Sequence, residues 1–110
     1  MKYTIGIDLG GTNIVAGLVD EQYHLLDKAA VKTQPEKGFD FITDNMARLV
    51  ATLLQRAKLA PADVSSIGIG SPGTPDKETG DIIFSNNLNW HNVPLASSVQ
   101  GKTGIRTVVA

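Results

Sequence analysis

The chain has 110 residues, 42% of them hydrophobic and 19% charged, with a formal net charge of −1 and no cysteine. That profile is one of a single globular domain with room for a modest core. It excludes an electrostatic footprint for nucleic acid or an anionic membrane, disulfides and thiolate-bound zinc, and any apolar run near the roughly 20 residues that cross a bilayer.

Tyr3, Ile5 and Ile7 alternate with Thr4, Gly6 and Asp8 at the period of a strand. Met1 runs into it almost at once, leaving no room for a leader, so the cytoplasm is the expected compartment. The strand meets Gly10-Gly11, a pair able to take positive φ and leave its amides uncovered. Residues Ile14 to Val19 are β-rich and apolar on both faces, which predicts a second, buried strand antiparallel to the first. An acid at a strand end, a bare glycine turn, then a hydroxyl and an amide at Thr12 and Asn13 form a hairpin suited to phosphates and a metal. Turn N–H groups make an anion-binding concavity, and Asp8 beside it suits Mg²⁺, held directly or through water. On shape alone, an ordinary Gly-Gly hairpin with a turn-capping Asp fits equally well.

After the polar turn Asp20-Glu21-Gln22, residues Tyr23 to Thr33 read as a third strand, with Lys28 and Lys32 marking exposure or an edge. Gln34 to Gly38 is a breaker-rich loop. From Phe39 to Lys58 the period becomes helical: Phe39, Ile42, Met46, Leu49, Val50, Leu53, Leu54 and Ala57 recur at three- and four-residue spacing, and Pro61 is expected to close the helix. Ser66 to Gly70 predicts a short strand, residues 76–80 a turn and Asp81 to Ser85 a brief strand. Residues 86–92 show no regular period. Pro94 opens a short helix that Gly101 and Gly104 end, and Ile105 to Val109 is a last strand. The order β-β-β-α-β-α-β gives a mixed sheet carrying helices.

Ala96 to Thr103 comes close to a nucleoside-triphosphate loop ending in Gly101-Lys102-Thr103, but a true one follows a strand and opens a helix. Here the order is reversed, and Gly101 to Gly104 reads as a turn. His24 and His91 stand apart from other ligating residues and receive no role. Trp90 reads as a packing anchor.

The string Asp8-Leu9-Gly10-Gly11-Thr12-Asn13 resembles the first phosphate motif of the actin, Hsp70 and sugar-kinase superfamily, and within it the ROK family. Gly68 to Asp76, followed by Thr79-Gly80, Asn87-Leu88-Asn89-Trp90 and Val93-Pro94-Leu95, is similar to the sugar-side hairpin of ROK glucokinases. The resemblance implies a ribonuclease-H-like (actin-type ATPase) lobe, α/β with a mixed sheet and flanking helices. It implies ATP phosphates held at Gly10, Gly11, Thr12 and Asn13, Mg²⁺ positioned by Asp8, and a sugar facing Gly73, Thr74, Asn86 and Asn87. For the last two, a turn-capping role is the competing reading.

In ROK kinases the catalytic acid is the Asp of an Asn-Asp pair directly after the strand that here reaches Ala110, so no catalytic residue is expected within the chain. A second lobe, with the adenosine pocket and a structural Zn²⁺ site if there is one, is likewise expected outside it. Residues 1–110 thus resemble the N-terminal lobe of a two-lobe hexose kinase acting on glucose, cytoplasmic, with a homo-oligomeric parent, as a domain fragment or a truncated product. The chain alone is expected to be inactive. Two rivals stand beside this reading. One is a sugar-sensing transcriptional regulator of the same family, which would carry a helix-turn-helix ahead of the motif where this chain has Met1. The other is an Hsp70- or actin-like ATPase, which would lack the segment Gly73 to Leu95.

Overall fold

Alternation at the start of the chain builds the main sheet. The computed structural model describes residues 2–70, 74–75, 79–80, 82–85 and 90–109. In chain order the elements are β1 (Tyr3–Leu9), β2 (Asn13–Val19), β3 (Leu25–Lys32), α1 (Phe39–Ala57), β4 (Val64–Gly70), β5 (Thr74–Pro75), β6 (Ile82–Ser85), β7 (Trp90–Val93), α2 (Leu95–Thr103) and β8 (Thr107–Val109). β1 buries Ile5, Ile7 and Leu9 on one face and turns Thr4, Gly6 and Asp8 to the other. β2 pairs with it antiparallel, Leu9 opposite Ile14, and β3 pairs antiparallel with β2. β4 lies parallel to β1 on its other side, and β8 parallel to β4. The five-stranded order is β3-β2-β1-β4-β8. β3 is an edge strand with Lys28 and Lys32 exposed, as its lysines suggested. The outward face of β2 is only half-buried, so that strand is less enclosed than its apolar run implied.

Both helices cover the face that carries Ile5, Ile7, Leu9, Ile14, Ala16, Leu18, Ile67 and Ile69. α1 packs on β2 and β3, α2 packs on β8, and the helices pack on each other. The stripe Ile42, Met46, Leu49, Val50, Leu53 and Leu54 of α1 is buried, as its spacing predicts. Three residues ahead of Pro61, Lys58 takes a left-handed conformation (φ 59°), and the N–H groups of Lys58 and Leu59 fold back onto the carbonyls of Gln55 and Leu54. The helix therefore ends by a backbone reversal, and Pro61 instead opens a single 3-10 turn, Pro61–Asp63. α2 also differs from expectation. It runs through Gly101 to Thr103 and stops at Gly104, whose φ of 74° allows its N–H to reach the carbonyl of Gln100. Gly101 to Thr103 is thus helix, not turn.

Two polar clasps fasten the helices. The Arg56 guanidinium forks onto both carboxylate oxygens of Asp27 at 2.9 Å and onto the Lys28 carbonyl, tying the end of α1 to β3. Lys102 reaches across from α2 to the Asp44 carboxylate (2.9 Å) and the Thr43 hydroxyl (2.7 Å) of α1.

Between β4 and α2 lies a three-stranded antiparallel sheet in the order β5-β6-β7. Residues 90–92, read as irregular, belong to β7. What makes them a strand is pairing with β6 (Ser85 opposite Trp90, Ile82 opposite Val93), while a left-handed Asn92 (φ 51°) breaks the alternation that would have advertised it. Trp90 is buried and its ring meets Phe39 edge-on at 5.1 Å, so the anchor reading holds. The elements of the main sheet and its helices follow the expected order β-β-β-α-β-α-β, with this small sheet as the addition.

Gly80 joins the two regions. It is buried at φ +75°, its carbonyl accepts the Ala96 N–H at 3.0 Å, and an added β carbon would sit 2.4 Å from Ala96 Cβ. Gly80→Ala is expected to cost about 1–3 kcal/mol by overpacking and backbone strain. A lowered urea midpoint with an unchanged denaturant slope is the measurement that checks it.

Candidate functional site

β1, β3, β4 and β8 run in the same direction, so their C-terminal ends share one edge of the sheet. The turn Gly10–Asn13, Thr33, Gly70 and Val109 all lie at that edge. Alternation sets Asp8 outward there: it is exposed, between Val15 of β2 and Gly70 of β4, and Gly70 adds no side chain beside it.

The turn closes through one hydrogen bond, from the Gly10 N–H to the Asn13 carbonyl at 3.0 Å. Its glycines are not used as expected. Neither takes a positive φ; the left-handed glycines among the described residues are Gly38, Gly80 and Gly104. Gly10 is needed for space instead, since a β carbon there would lie 2.9 Å from the Asn13 carbonyl oxygen. Thr33, fully buried just past the end of β3, donates its N–H to the Thr12 carbonyl (2.9 Å) and its hydroxyl to the Gly10 carbonyl (2.7 Å). The turn's carbonyls are thus drawn inward. Among the described residues the N–H groups of Gly11 and Thr12 meet no acceptor, and the side chains of Thr12 and Asn13 are exposed.

Outward amides with inward carbonyls give the turn the positive end of its peptide dipoles, the arrangement that receives an anion. Lys32 stands opposite Asn13 in register, exposed and in no ion pair among the described residues. Sequence reasoning used it only as an edge marker and gave Thr33 no role. Asp8, an exposed carboxylate at this edge, suits a cation shared with a ligand's own oxygens. Among the described residues no group of three or more His, Cys, Asp or Glu could hold a metal unaided. That donor set fits Mg²⁺, which keeps water and takes phosphate oxygens rather than a full protein cage.

The other sequence-predicted residues divide. Thr74 enters β5, its backbone opposite Phe84. Gly73, Asn86 and Asn87 lie outside the described residues. Lys102, of the near-match to a triphosphate loop, is spent on Asp44 and Thr43 near the end of a helix, which removes that motif as a site. His24 is on the surface beside Asp20, at the opposite end of β2 from the turn. The His24 backbone N–H, joined by that of Gln22 and the His24 ring, holds the Asp20 carboxyl below its usual range against the opposing effect of burial. No helix of the described residues is long and apolar enough to cross a membrane.

The family model described as ROK family matches residues 4–110. A glucokinase of Thermotoga maritima is 41% identical over 101 residues, covering 91% of this chain and 30% of the relative. A xylose repressor of Caldicellulosiruptor bescii is 35% identical, covering 89% and 25%. The crystal structure of a ROK family glucokinase from Streptomyces griseus, in complex with glucose and AMPPNP, superposes with a TM-score of 0.85 at 34% identity, covering 97% of this chain and 32% of that one. The chain spans about a third of the length of the curated glucokinases it matches, 30% and 32% for the first two.

The tight approach at Gly10 generates a specific expectation. Gly10→Ala should push the Asn13 carbonyl away and open the closing bond of the turn, at about 1–3 kcal/mol. Amide exchange should accelerate at residue 10, the donor of that bond, while the amides of α1 keep their protection; equal loosening of both would refute a local effect.

Proposed function

Because this chain belongs to the ROK family, we propose that it is the N-terminal lobe of an ATP-dependent sugar kinase. That kinase moves the γ-phosphate of ATP to a hexose hydroxyl, with glucose and glucose 6-phosphate as the first substrate and product to test. The observation that carries the reading is the turn at Gly10–Asn13, amides outward and Asp8 at its side. The Streptomyces griseus glucokinase, which superposes over nearly the whole chain, was crystallised with glucose and a nucleotide analogue.

In this reading the N–H groups of the turn, with the side chains of Thr12 and Asn13, hold the ATP phosphates, and Asp8 holds Mg²⁺. When bound, Mg²⁺ neutralises charge on the phosphate oxygens. Phosphoryl transfer is mostly positioning and electrostatics, so a rigid donor array is the main thing this lobe can contribute. Gly73, Thr74, Asn86 and Asn87 take the sugar: amide side chains both donate and accept, as a ring of hydroxyls requires. The sugar's proton needs a carboxylate, assigned to an Asp following Ala110. Support for that assignment comes from topology, since β8 ends at the same sheet edge as β1 and β4. The adenosine pocket, and zinc if the protein has it, belong to a second lobe. The parent is taken to be a cytoplasmic homo-oligomer.

A second reading has its own observation. The match to a xylose repressor shows that this lobe also occurs in a regulator. There the sugar site would survive without turnover.

A coupled ADP-release assay with glucose, ATP and Mg²⁺ separates them. The 110-residue chain is expected to be inert and the full gene product active, since losing a general base alone costs about 10²–10⁴-fold. Comparable turnover by the short chain would place the acid within it, at Asp8, Asp76 or Asp81. A full-length product that binds a hexose but never turns over would establish the regulator instead.

A further inference from the structure

We propose that Thr33 is a positioning residue for the nucleotide phosphates, acting through the turn's backbone; this rests on the phosphate reading of that turn. Thr33 is fully buried, 21 and 23 residues from the two carbonyls it binds, and both its donors go to the same turn. A trans peptide is planar, with its C=O and N–H pointing in opposite directions. The Thr33 hydroxyl holds the Gly10 carbonyl at 2.7 Å, so the N–H of Gly11, in that same peptide, points away from Thr33. The Thr33 N–H holds the Thr12 carbonyl at 2.9 Å, so the N–H of Asn13, in that same peptide, likewise points away from Thr33. Two bonds from one residue thus orient two amides of the turn.

Among the described residues the turn has little else to fix it. Its one internal bond, Gly10 N–H to the Asn13 carbonyl, orients neither of those two peptides. Without the hydroxyl, the Gly10–Gly11 peptide is free to rotate and present its carbonyl, which repels phosphate. The preorganised donors that phosphoryl transfer depends on would then have to be ordered by the ligand itself.

Thr33→Val keeps the shape and the backbone N–H and removes only the hydroxyl; Thr33→Ser restores it. The test is titration of the isotope-labelled 110-residue chain with Mg-ATP, following backbone amides by NMR. For the unsubstituted chain the largest saturable shifts are expected at Gly11 and Asn13. T33S should bind within about twofold and T33V about 3–10-fold more weakly, the worth of one ordinary hydrogen bond. A purely structural role would lower the thermal midpoint of T33V and leave its affinity unchanged, and that result overturns the proposal. So does binding to the unsubstituted chain that moves other amides but not Gly11 and Asn13, a readout that stands even if T33V fails to fold. If the unsubstituted chain shows no saturable shift at all, the phosphate reading of the turn falls, and this proposal with it.

Discussion

The period-two register of β1 is the constraint from which the rest follows. Ile5, Ile7 and Leu9 must face the helices, so Thr4, Gly6 and Asp8 cannot. A slip of one residue against either neighbour would drive Asp8 into an apolar core and expose three large side chains. β1 is also the hinge of the topology: antiparallel to β2 through a short turn, parallel to β4 through α1. The hairpin fixes where the turn's amides sit, and the parallel pairing brings the ends of β4 and β8 to the same edge. A site assembled at the carboxyl ends of parallel strands is a consequence of that pairing.

Much of this was legible because it is local. The hairpin, the buried stripe of α1 and the edge character of β3 all rest on periodicities within a few residues of each other. What stayed hidden depends on distant pairing. Residues 90–93 form a strand because β6 lies beside them, and nothing in Trp90-His91-Asn92 alternates strongly enough to say so. The end of α1 was placed correctly but its cause was not: Lys58, an ordinary helix former, reverses the backbone where glycine would have signalled it, and Pro61 was credited instead.

The hidden part of the site had a readable trace. In β3 the inward phase runs Asp27, Ala29, Val31 and on to Thr33. Two of those four are polar, and a polar group turned inward must find a partner. Asp27 finds Arg56, and Thr33 finds the turn. The converse error was avoidable on the same principle. Gly101-Lys102-Thr103 carries the right residue types, but its lysine is spent between two helices and its glycine lies inside one. Residue identity proposes a phosphate loop; only the order of strand and helix decides.

The outer face of the sheet has a different consequence. Gly6 has Gly17 across from it on one side and Gly68 on the other, leaving the three central strands without side chains along that row. Glycine inside a strand forfeits about 0.5–1 kcal/mol relative to alanine through the freedom it has when unfolded. At Gly17 a β carbon would press on Leu25, but at Gly6 and Gly68 it would meet nothing within 4 Å. Unlike Gly10 and Gly80, these are glycines the fold does not demand. The lobe sits below the stability its own backbone permits, and the shortfall is concentrated where a methyl group can be restored without displacing an atom.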